Sequence, residues 1–408
     1  MPQVAHGDAQ VIISGAGPVG LLAALILAQN QISCLVLEAH ATLTHDLRAG
    51  TFHPPTLEML DRVGVTQAMI DIGIKVPKWQ SCDLEFGLVA EWDLGLLAQD
   101  TTYPFRLHLE QHRLTPLLLE RLSAYQHVKV LFDHALTSFD QDADGVTVHT
   151  QSVSGPQRFR GQWLIGADGG RSQVRKSAEI EFSGYTWPER YSVISTTYDF
   201  AELNYRENAY ISDPEQWVAV FKMPDVTPSG LWRMTLPVSH EVSDDTALAG
   251  PYAQHAIHRV TGADADVGYP IVHQSIYNVH QRVAVQLRKG RVLLAGDAAH
   301  VNNPLGGFGL NSGIHDAFNL AEKLSEVLNG QADETLMDRY HRQRHTVNVE
   351  YVQELSVKNK KNLEEKDPVL RACRRQELQE ICADPERSRA YLLNSSMINS
   401  IKRAQAIP

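Results

Sequence analysis

Three short segments rich in glycine and aspartate lie far apart in the chain, and each directly follows an apolar run. The segments are residues 15–20, 166–169 and 296–300, and the runs before them are residues 11–14, 163–165 and 291–295. Apolar runs of this length are typical of buried strands. The carboxyl ends of parallel strands meet at one edge of an α/β sheet, where such folds bind ligands, so one long dinucleotide is expected to contact all three segments.

The first segment has the composition of a nucleotide-binding turn between a strand and a helix. Its glycines permit a tight turn, close approach of the backbone to a pyrophosphate, and close packing of the helix on the sheet. The helix that begins near Pro18 directs its free amide groups at that pyrophosphate. A second strand, residues 34–37, ends at Glu38, where this fold places the carboxylate that binds ribose hydroxyls. The predicted contacts are Gly15, Gly17, Pro18, Val19, Gly20, Glu38 and Ala39, and an ordinary glycine-rich turn is the alternative.

The third segment favours a flavin over a simple nicotinamide dinucleotide. Asp297 is suited to accept hydrogen bonds from a ribityl chain, and the glycines that follow it let the backbone lie flat against an isoalloxazine ring. The helix that begins near Leu310 directs its positive end at the pyrimidine end of that ring, where negative charge collects on reduction. The predicted FAD contacts here are Asp297, Gly307, Gly309, Leu310 and Asn311. For Asp297 the alternative role is a helix N-cap.

With these segments in place, the chain resembles the single-component FAD-dependent aromatic hydroxylases, or class A flavoprotein monooxygenases, in the fold family of 4-hydroxybenzoate hydroxylase. Further matches follow in order along most of the chain. Arg48-Ala49-Gly50 is similar to the family's arginine segment, which reaches the FAD pyrophosphate, and Gln111 opens a Gln-x-x-Leu helix start like the one beside the ribityl chain. Leu136 lies where the family holds adenine by its backbone. Residues 166–175, with Asp168, resemble the second fingerprint, which is implicated in FAD and NAD(P)H contact.

The resemblance implies a monooxygenase that takes electrons from NADH or NADPH and oxygen from O2. In the family, reduced FAD adds O2 to form a C4a-hydroperoxide, whose distal oxygen is transferred to a phenolic or N-heteroaromatic ring. The site must exclude water, so we expect an apolar pocket with few polar anchors. A flavin reductase or halogenase of the same fold and a non-catalytic flavoprotein redox sensor are the alternatives.

Candidates for the substrate pocket follow partly from the resemblance. Pro304 matches the family proline whose carbonyl lies beside the reacting ring, and a residue such as His53 or Tyr210 would favour the reactive phenolate. The family's Ser-x-Arg clamp for a substrate carboxylate has no clear counterpart between residues 205 and 240. For each candidate, packing or a surface hydrogen bond is the alternative role.

Arg233 is the remaining candidate. Strand alternation puts it on the face opposite Trp232, Met234 and Leu236, so one of the two faces must look toward the flavin. A buried guanidinium needs an anionic partner, which a substrate would supply if Arg233 faced inward. A surface salt bridge is the alternative, and in that case the three apolar side chains would line the pocket.

The fold class expected is α/β, with discontinuous domains. A Rossmann-like FAD-binding domain would comprise residues 1–75, 101–178 and 283–330. The inserted, mostly antiparallel β substrate domain would comprise residues 76–100 and 179–282, because apolar runs there alternate with proline and glycine. Residues 331–408 are expected to form a helical C-terminal region, whose apolar patch near residues 391–398 would pack on the body or on a second subunit in a homodimer.

The composition of the 408 residues excludes several classes of protein. A net charge of −11 argues against a nucleic-acid partner, which needs a basic face. Four cysteines without zinc spacing predict no metal site and fit a cytoplasmic enzyme. The apolar stretch of residues 11–28 contains the glycine turn, so we expect a nucleotide-binding unit and no membrane anchor.

Overall fold

A computed structural model describes residues 9–44, 50–225, 230–264 and 266–408. Arg48, predicted to contact the FAD pyrophosphate, lies outside the described residues. The described chain forms two large sheets, one small sheet and a set of helices that covers them.

The first sheet carries the three glycine-containing segments. Its strands, in spatial order, are Arg288–Lys289, Val292–Leu294, Gly155–Gly166, Ala9–Ser14, Cys34–Leu37 and Val128–Leu131. From Val292–Leu294 onward all neighbours are parallel, and Ile12 pairs with Leu164 on one side and Leu35 on the other. The longest strand extends into an antiparallel arm with Val146–Ser152 and Ala135–Gln141. Strands that end together in this way bring residues 15, 167 and 295 to one edge.

The helix Pro18–Gln29 is buried along almost its whole length, which explains its apolar composition. It packs between the sheet and the helices Gln111–Leu122 and Phe308–Leu328. The stretch of residues 11–28 is therefore a strand, a turn and a core helix. None of the helices in the described ranges combines the length and hydropathy needed to span a bilayer.

The second sheet is mostly antiparallel. Its strands, in spatial order, are His300–Val301, Ile271–Ala284, Phe182–Thr196, Leu231–Val238, Val218–Met223, Asn208–Ser212, Lys78–Asp83 and Gly87–Asp93. Asn208–Ser212 and Lys78–Asp83 form the one parallel pair on this path. One face packs on the helix Gly250–Thr261, and the other packs on the C-terminal helices Pro368–Ala383 and Pro385–Ser395.

Shorter elements complete the fold. A three-stranded sheet, Thr51–Phe52, Arg106–His108 and Ile74–Val76, lies between the two large sheets. Further helices are Pro54–Asp61, Thr66–Ile72, Gln173–Ser177, Asp244–Ala247, Leu336–Val347, Glu354–Leu363, Pro368–Ala383, Pro385–Ser395 and Ile398–Gln405, with a π-helical turn at Asn348–Gln353 and 3-10 turns at Leu94–Leu97, Phe200–Leu203 and Gly296–Ala298.

The predicted fold class, an α/β unit with an inserted antiparallel sheet and a helical C-terminal region, is confirmed. The predicted domain boundaries stay a prediction. The patch near residues 391–398 packs on the body: Tyr391 stacks on Trp92 with ring centroids 4.1 Å apart, and Leu392 is fully buried.

Candidate active site

The glycine turn leaves room for a ligand at one of its glycines and at no other. A Cβ atom on Gly15, whose φ is +105°, would lie 2.4 Å from the carbonyl oxygen of Ala167, and one on Gly20 would lie 2.0 Å from that of Gly15. These two glycines are needed for packing inside the protein. At Gly17, no atom of the described residues lies within 4 Å of the Cβ position, the neighbours in the chain excepted. The open side of Gly17 adjoins the first turn of the helix, whose amide groups have no acceptor within the helix.

Glu38 connects the second strand to this turn. Its two carboxylate oxygens accept hydrogen bonds from the backbone amides of Ala16 and His40, at 2.7 and 3.0 Å. The carboxylate therefore lies beside the turn, half-buried, with Ala39 exposed next to it. Its predicted contact with a ribose stays a prediction.

The second segment is tied to the third. Asp168 accepts hydrogen bonds from the amides of Gln173 and Val174, at 2.8 and 3.0 Å, and so fixes the helix that follows. Arg175, in that helix, donates to the carbonyl of Gly170 at 2.9 Å and to that of Ala298 at 2.8 Å. Its guanidinium lies 3.7 Å from the ring centroid of Phe182.

A buried ionic cluster supports the third segment from within. Asp316 accepts hydrogen bonds from the Gly296 amide at 3.0 Å, from His300 Nε2 at 2.6 Å and from Arg344 Nε at 2.6 Å. Burial raises the pKa of Asp316, but His300 and Arg344 outweigh it and hold that pKa at about 2. Asp297 is exposed on the same turn, at the edge of the sheet. Sequence reasoning missed this cluster because its members are far apart in the chain.

The loop of residues 304–307 turns sharply before the long helix Phe308–Leu328. Gly306 and Gly307 have φ of +108° and +68°, and the Gly307 amide donates to the Pro304 carbonyl at 2.9 Å. Asn311 fixes the end of this loop: its Oδ1 accepts from the His53 amide at 2.9 Å, and its Nδ2 donates to the Gly307 carbonyl at 2.6 Å. We call residues 304–307 the proline–glycine loop.

His53 supports the proline–glycine loop. Its Nε2 lies 2.8 Å from the carbonyl oxygen of Gly306. Because a carbonyl only accepts, Nε2 carries the proton. Burial lowers the pKa of His53 well below its ordinary value, and the nearby charge of Arg106 lowers it further. The side chain is therefore neutral and has the contacts of a positioning residue.

A cavity opens between this loop and the second sheet. The space between its lining residues is about 820 Å³, open solvent included. Gly306 and Phe308 line one side, and the opposite side carries Tyr210, whose hydroxyl accepts a hydrogen bond from the Gly306 amide at 3.2 Å. Other lining residues are Trp79, Asp83, Arg106, Tyr391 and three arginines of the helix Pro368–Ala383.

Arg233 faces inward and already has an anionic partner. Its Nη2 lies 2.7 Å from Oε1 of Glu110, and both side chains are buried. The carboxylate that the sequence analysis expected from a substrate is thus supplied by the protein. Trp232 belongs to the opposite face, in the apolar cluster that includes the helix Gly250–Thr261.

Sequence reasoning also missed the strand Arg106–His108 and the residue Glu110 that follows it, at the start of the helix Gln111–Leu122. Arg106, His108 and Glu110 alternate with leucines, and all three side chains contact the second sheet: Arg106 reaches Asn208, His108 reaches the carbonyl of residue 222, and Glu110 reaches Arg233. The polar–apolar alternation of residues 106–110 was the available signal, because it is typical of a strand with one polar face.

The remaining predicted contacts lie around the same sheet edge. Gln111 begins the helix Gln111–Leu122, Leu136 is buried in the strand Ala135–Gln141, and Gly309 and Leu310 are in the first turn of the helix Phe308–Leu328. Their contacts with a cofactor stay predictions.

Three segments from distant parts of the chain thus meet at one edge of a parallel sheet, with open space beside Gly17 and a partly open cavity beside the proline–glycine loop. The open space beside Gly17 suits a pyrophosphate and the cavity suits an aromatic ring, so the residues present fit FAD and a ring substrate. This arrangement defines a flavoprotein of the aromatic-hydroxylase class.

Comparison with known proteins makes the assignment specific. A profile of the FAD-binding domain family matches residues 8–355, and the chain belongs to this family. It is 34% identical over 389 residues to para-nitrophenol 4-monooxygenase of Pseudomonas sp. (strain WBC-3), covering 95% of this chain and 96% of the relative. It is 33% identical to 6-hydroxy-3-succinoylpyridine 3-monooxygenase of Pseudomonas putida (strain DSM 28022 / S16), covering 88% and 90%.

A solved structure agrees with this assignment. The crystal structure of p-nitrophenol 4-monooxygenase from Pseudomonas putida DLL-E4 superposes with a TM-score of 0.90 at 31% identity, over 98% of each chain. The protein is an FAD-dependent aromatic-ring monooxygenase that uses NAD(P)H and O2. The predicted enzyme class and cofactors are confirmed.

Proposed function

We propose that the cavity beside the proline–glycine loop is the substrate pocket, and that the ring hydroxylated there is a phenol or a hydroxypyridine. One observation carries the proposal: the loop predicted to contact FAD forms a wall of the cavity through Gly306, and Tyr210 on the opposite wall is bonded to that glycine. A ring bound in the cavity would lie beside the cofactor. The names of two relatives, a nitrophenol and a hydroxypyridine monooxygenase, support the substrate class.

The chemistry that FAD would supply when bound is the reduction of O2 by two electrons from NAD(P)H, with one oxygen atom inserted into the ring and the other released as water. This chain's own residues would bind and orient the reactants. The amide groups beside Gly17 would hold the pyrophosphate, Glu38 a ribose and Asp297 the ribityl chain. The carbonyl of Pro304 would face the reacting ring.

Exclusion of water would come from the aromatic walls of the pocket. Trp79, Tyr210 and Tyr391 form one cluster, in which the Trp79 ring lies 5.8 Å from that of Tyr210 and 6.2 Å from that of Tyr391. Leu305 continues this surface together with buried Tyr191. A pocket from which water is excluded prevents the activated oxygen from being released as hydrogen peroxide before it reacts with the ring. His53 and Arg233 would act by fixing the loop and the sheet, each through its buried partner.

Three further features belong to the proposal. Four free cysteines support a cytoplasmic location, and the net charge of −11 supports the absence of a nucleic-acid partner.

A homodimer is supported by exposed apolar side chains on the hairpin of residues 83–88 and on the adjacent helix Pro368–Ala383. These side chains are Phe86, Leu88, Val369 and Leu370.

A substrate screen with the purified holoenzyme tests the function. 4-Nitrophenol, phenol, 3-hydroxypyridine and aniline would be tested for stimulation of NADH and NADPH oxidation, with products identified by mass. We expect a large stimulation by at least one hydroxylated ring and a product heavier by one oxygen. Oxidation that no ring stimulates, with peroxide as the only product, would instead indicate a reductase or a sensor, and a halogenated product in the presence of halide would indicate a halogenase.

A further inference from the structure

The residue before the proline–glycine loop is held by a buried amide side chain of the second sheet. The pairing of the strand Ile271–Ala284 with His300–Val301 ends at Val301. Beyond this point, the backbone amide of Asn303 donates to Oε1 of Gln281 at 3.1 Å, and Asn303 Nδ2 donates to the same oxygen at 3.2 Å. Gln281 is 4% exposed and Asn303 is fully buried, so both hydrogen bonds are shielded from water.

The other end of the Gln281 amide binds a helix. Its Nε2 donates to Oγ of Ser356 at 3.0 Å, and Ser356 is fully buried in the helix Glu354–Leu363. Because a backbone amide can only donate, Oε1 must face Asn303, and this leaves Nε2 for Ser356. Gln281 therefore connects the start of the loop to the second sheet and to this helix in one orientation of its amide.

Asn303 extends this connection across Pro304. Its Oδ1 accepts a hydrogen bond from the Leu305 amide at 3.1 Å, on the far side of the proline. Pro304 has no amide proton with which to bind a neighbour, and its carbonyl accepts the hydrogen bond from the Gly307 amide inside the loop. The position of Pro304 thus depends on Asn303 before it and on Leu305 after it.

Loss of the Gln281 amide would leave two buried donors of Asn303 without their acceptor. Buried donors without acceptors are unfavourable, so we expect Asn303 to move toward another acceptor and to take the loop with it. Among the described residues, Gly306 lines the cavity, whereas Gln281 and Asn303 do not. An effect of Gln281 on a ring in the cavity would therefore pass through the position of the loop.

We propose that Gln281 is a positioning residue for ring hydroxylation, because it holds Asn303 and, through Asn303, the proline–glycine loop. This inference rests on the proposed function, since it takes the cavity beside the loop as the substrate pocket. A displaced loop would change the distance between the ring and the activated oxygen, and displacements of about 1 Å slow such reactions strongly. Oxygen that is not transferred would leave as hydrogen peroxide, which carries the two electrons of the NAD(P)H.

The ratio of hydroxylated ring formed to NAD(P)H oxidised tests the proposal. It would be measured on the holoenzyme with 4-nitrophenol or the most stimulating ring of the screen. Gln281→Met keeps the length of the side chain and removes both of its hydrogen-bonding ends. We expect the ratio to fall at least about threefold, with peroxide making up the difference, while FAD content and the KM for the ring stay within about twofold of the parent. Gln281→Glu keeps an acceptor for Asn303 and should restore most of the ratio.

The matched control is Gln274→Met. Gln274 lies on the same strand, and its amide donates to the carbonyl of Ala247 instead of binding the loop region, so the ratio should equal that of the parent. Asn303→Ala breaks the same connection from the other side and should lower the ratio as much as Gln281→Met does. The double variant Gln281→Met/Asn303→Ala should be no worse than either single variant, because both residues act through one hydrogen-bonded pair.

The proposal would be overturned by a parent-like ratio in folded, FAD-replete Gln281→Met, or by additive losses in the double variant. If Gln281→Met does not fold, a parent-like ratio in folded Asn303→Ala overturns it in the same way. A raised KM with an unchanged ratio would also overturn it, since Gln281 would then act on substrate binding. If the parent hydroxylates no ring of the screen, the proposed function fails and this inference fails with it, whereas a coupled parent with equally coupled variants contradicts this inference alone.

Discussion

The guanidinium of Arg175 donates a hydrogen bond to the carbonyl of Ala298, 2.8 Å away, and thereby joins the second cofactor segment to the third across 123 residues of chain. The Ala295 amide reinforces this link by donating to the Gly166 carbonyl at 3.0 Å. The sheet edge proposed to face FAD is therefore held in place by contacts within the protein. Binding to such a preorganised edge loses little conformational entropy.

Gly17→Ala should weaken FAD binding without harming the fold. Apart from its neighbours in the chain, no atom of the described residues lies within 4 Å of the Cβ position at Gly17, so the new methyl group would occupy the open space proposed for the pyrophosphate. We expect the dissociation constant for FAD to rise about tenfold or more, equivalent to about 1.4 kcal/mol. Flavin fluorescence during titration of the apoprotein measures this constant.

Gly250→Ala is the matched control, because its Cβ position also meets no atom and the residue begins a helix away from the sheet edge. Its FAD affinity should equal that of the parent. If Gly17→Ala and Gly250→Ala bound FAD with the same affinity, the proposal that the pyrophosphate lies beside Gly17 would be wrong.

Asp316→Asn should destabilise the protein strongly near neutral pH. The change leaves the guanidinium of Arg344 buried without its counter-charge. We therefore expect the free energy of unfolding to fall by about 3–5 kcal/mol. Chemical denaturation monitored by circular dichroism gives the value. Asp338→Asn, at the half-exposed ion pair with Arg288, should cost less than about 1 kcal/mol.

The effect of Asp316→Asn should also depend on pH. The folded pKa of Asp316 is about 2, below its ordinary value of 3.8, so its carboxylate stabilises the fold fully above the ordinary value. That contribution is lost as the pH falls from about 4 to about 2. The difference in stability between parent and variant should therefore shrink over this window. A difference that stayed constant would show that folding does not lower the pKa of Asp316.

Arg233→Met should reduce stability and leave substrate binding unchanged. Removing the guanidinium takes away the short ion pair of the buried Glu110 carboxylate and leaves it the longer one with Arg113, at 3.7 Å, so we expect a cost of about 1.5–3 kcal/mol. The double variant Arg233→Met/Glu110→Gln should regain part of this loss. The KM for the substrate should stay within about twofold of the parent in each. A KM raised about 30-fold with the free energy of unfolding unchanged would make Arg233 a substrate-binding residue after all.

Tyr210→Phe should uncouple electron transfer from hydroxylation. The variant loses the hydroxyl that accepts a hydrogen bond from the Gly306 amide. Such a bond stabilises the observed conformation of the proline–glycine loop by about 1 kcal/mol. Less product and more peroxide should form per NAD(P)H oxidised, with FAD content unchanged. Tyr185→Phe, at a half-exposed ring, is the control. Undiminished coupling in Tyr210→Phe would argue against the role of this hydrogen bond.

The sequence was informative where the chemistry is local. The turn around Gly17 and the loop around Gly307 depend on glycines within a few residues of one another, so their conformations could be predicted. The partners of Arg233 and Asp316 could not, because Glu110 lies 123 residues from the first and Arg344 lies 28 from the second, and only the assembled fold brings them together. Arg106 was missed for the same reason, although its strand carried a readable alternation.

Hydroxylation under labelled oxygen tests the central claim most directly. The holoenzyme would be supplied with NAD(P)H, 4-nitrophenol or the most stimulating ring of the screen, and ¹⁸O2, and the product would be analysed by mass spectrometry. We expect one labelled oxygen atom in each molecule of hydroxylated ring, and none when the label is in water. Product labelled from water, or peroxide as the sole product with every ring, would contradict it.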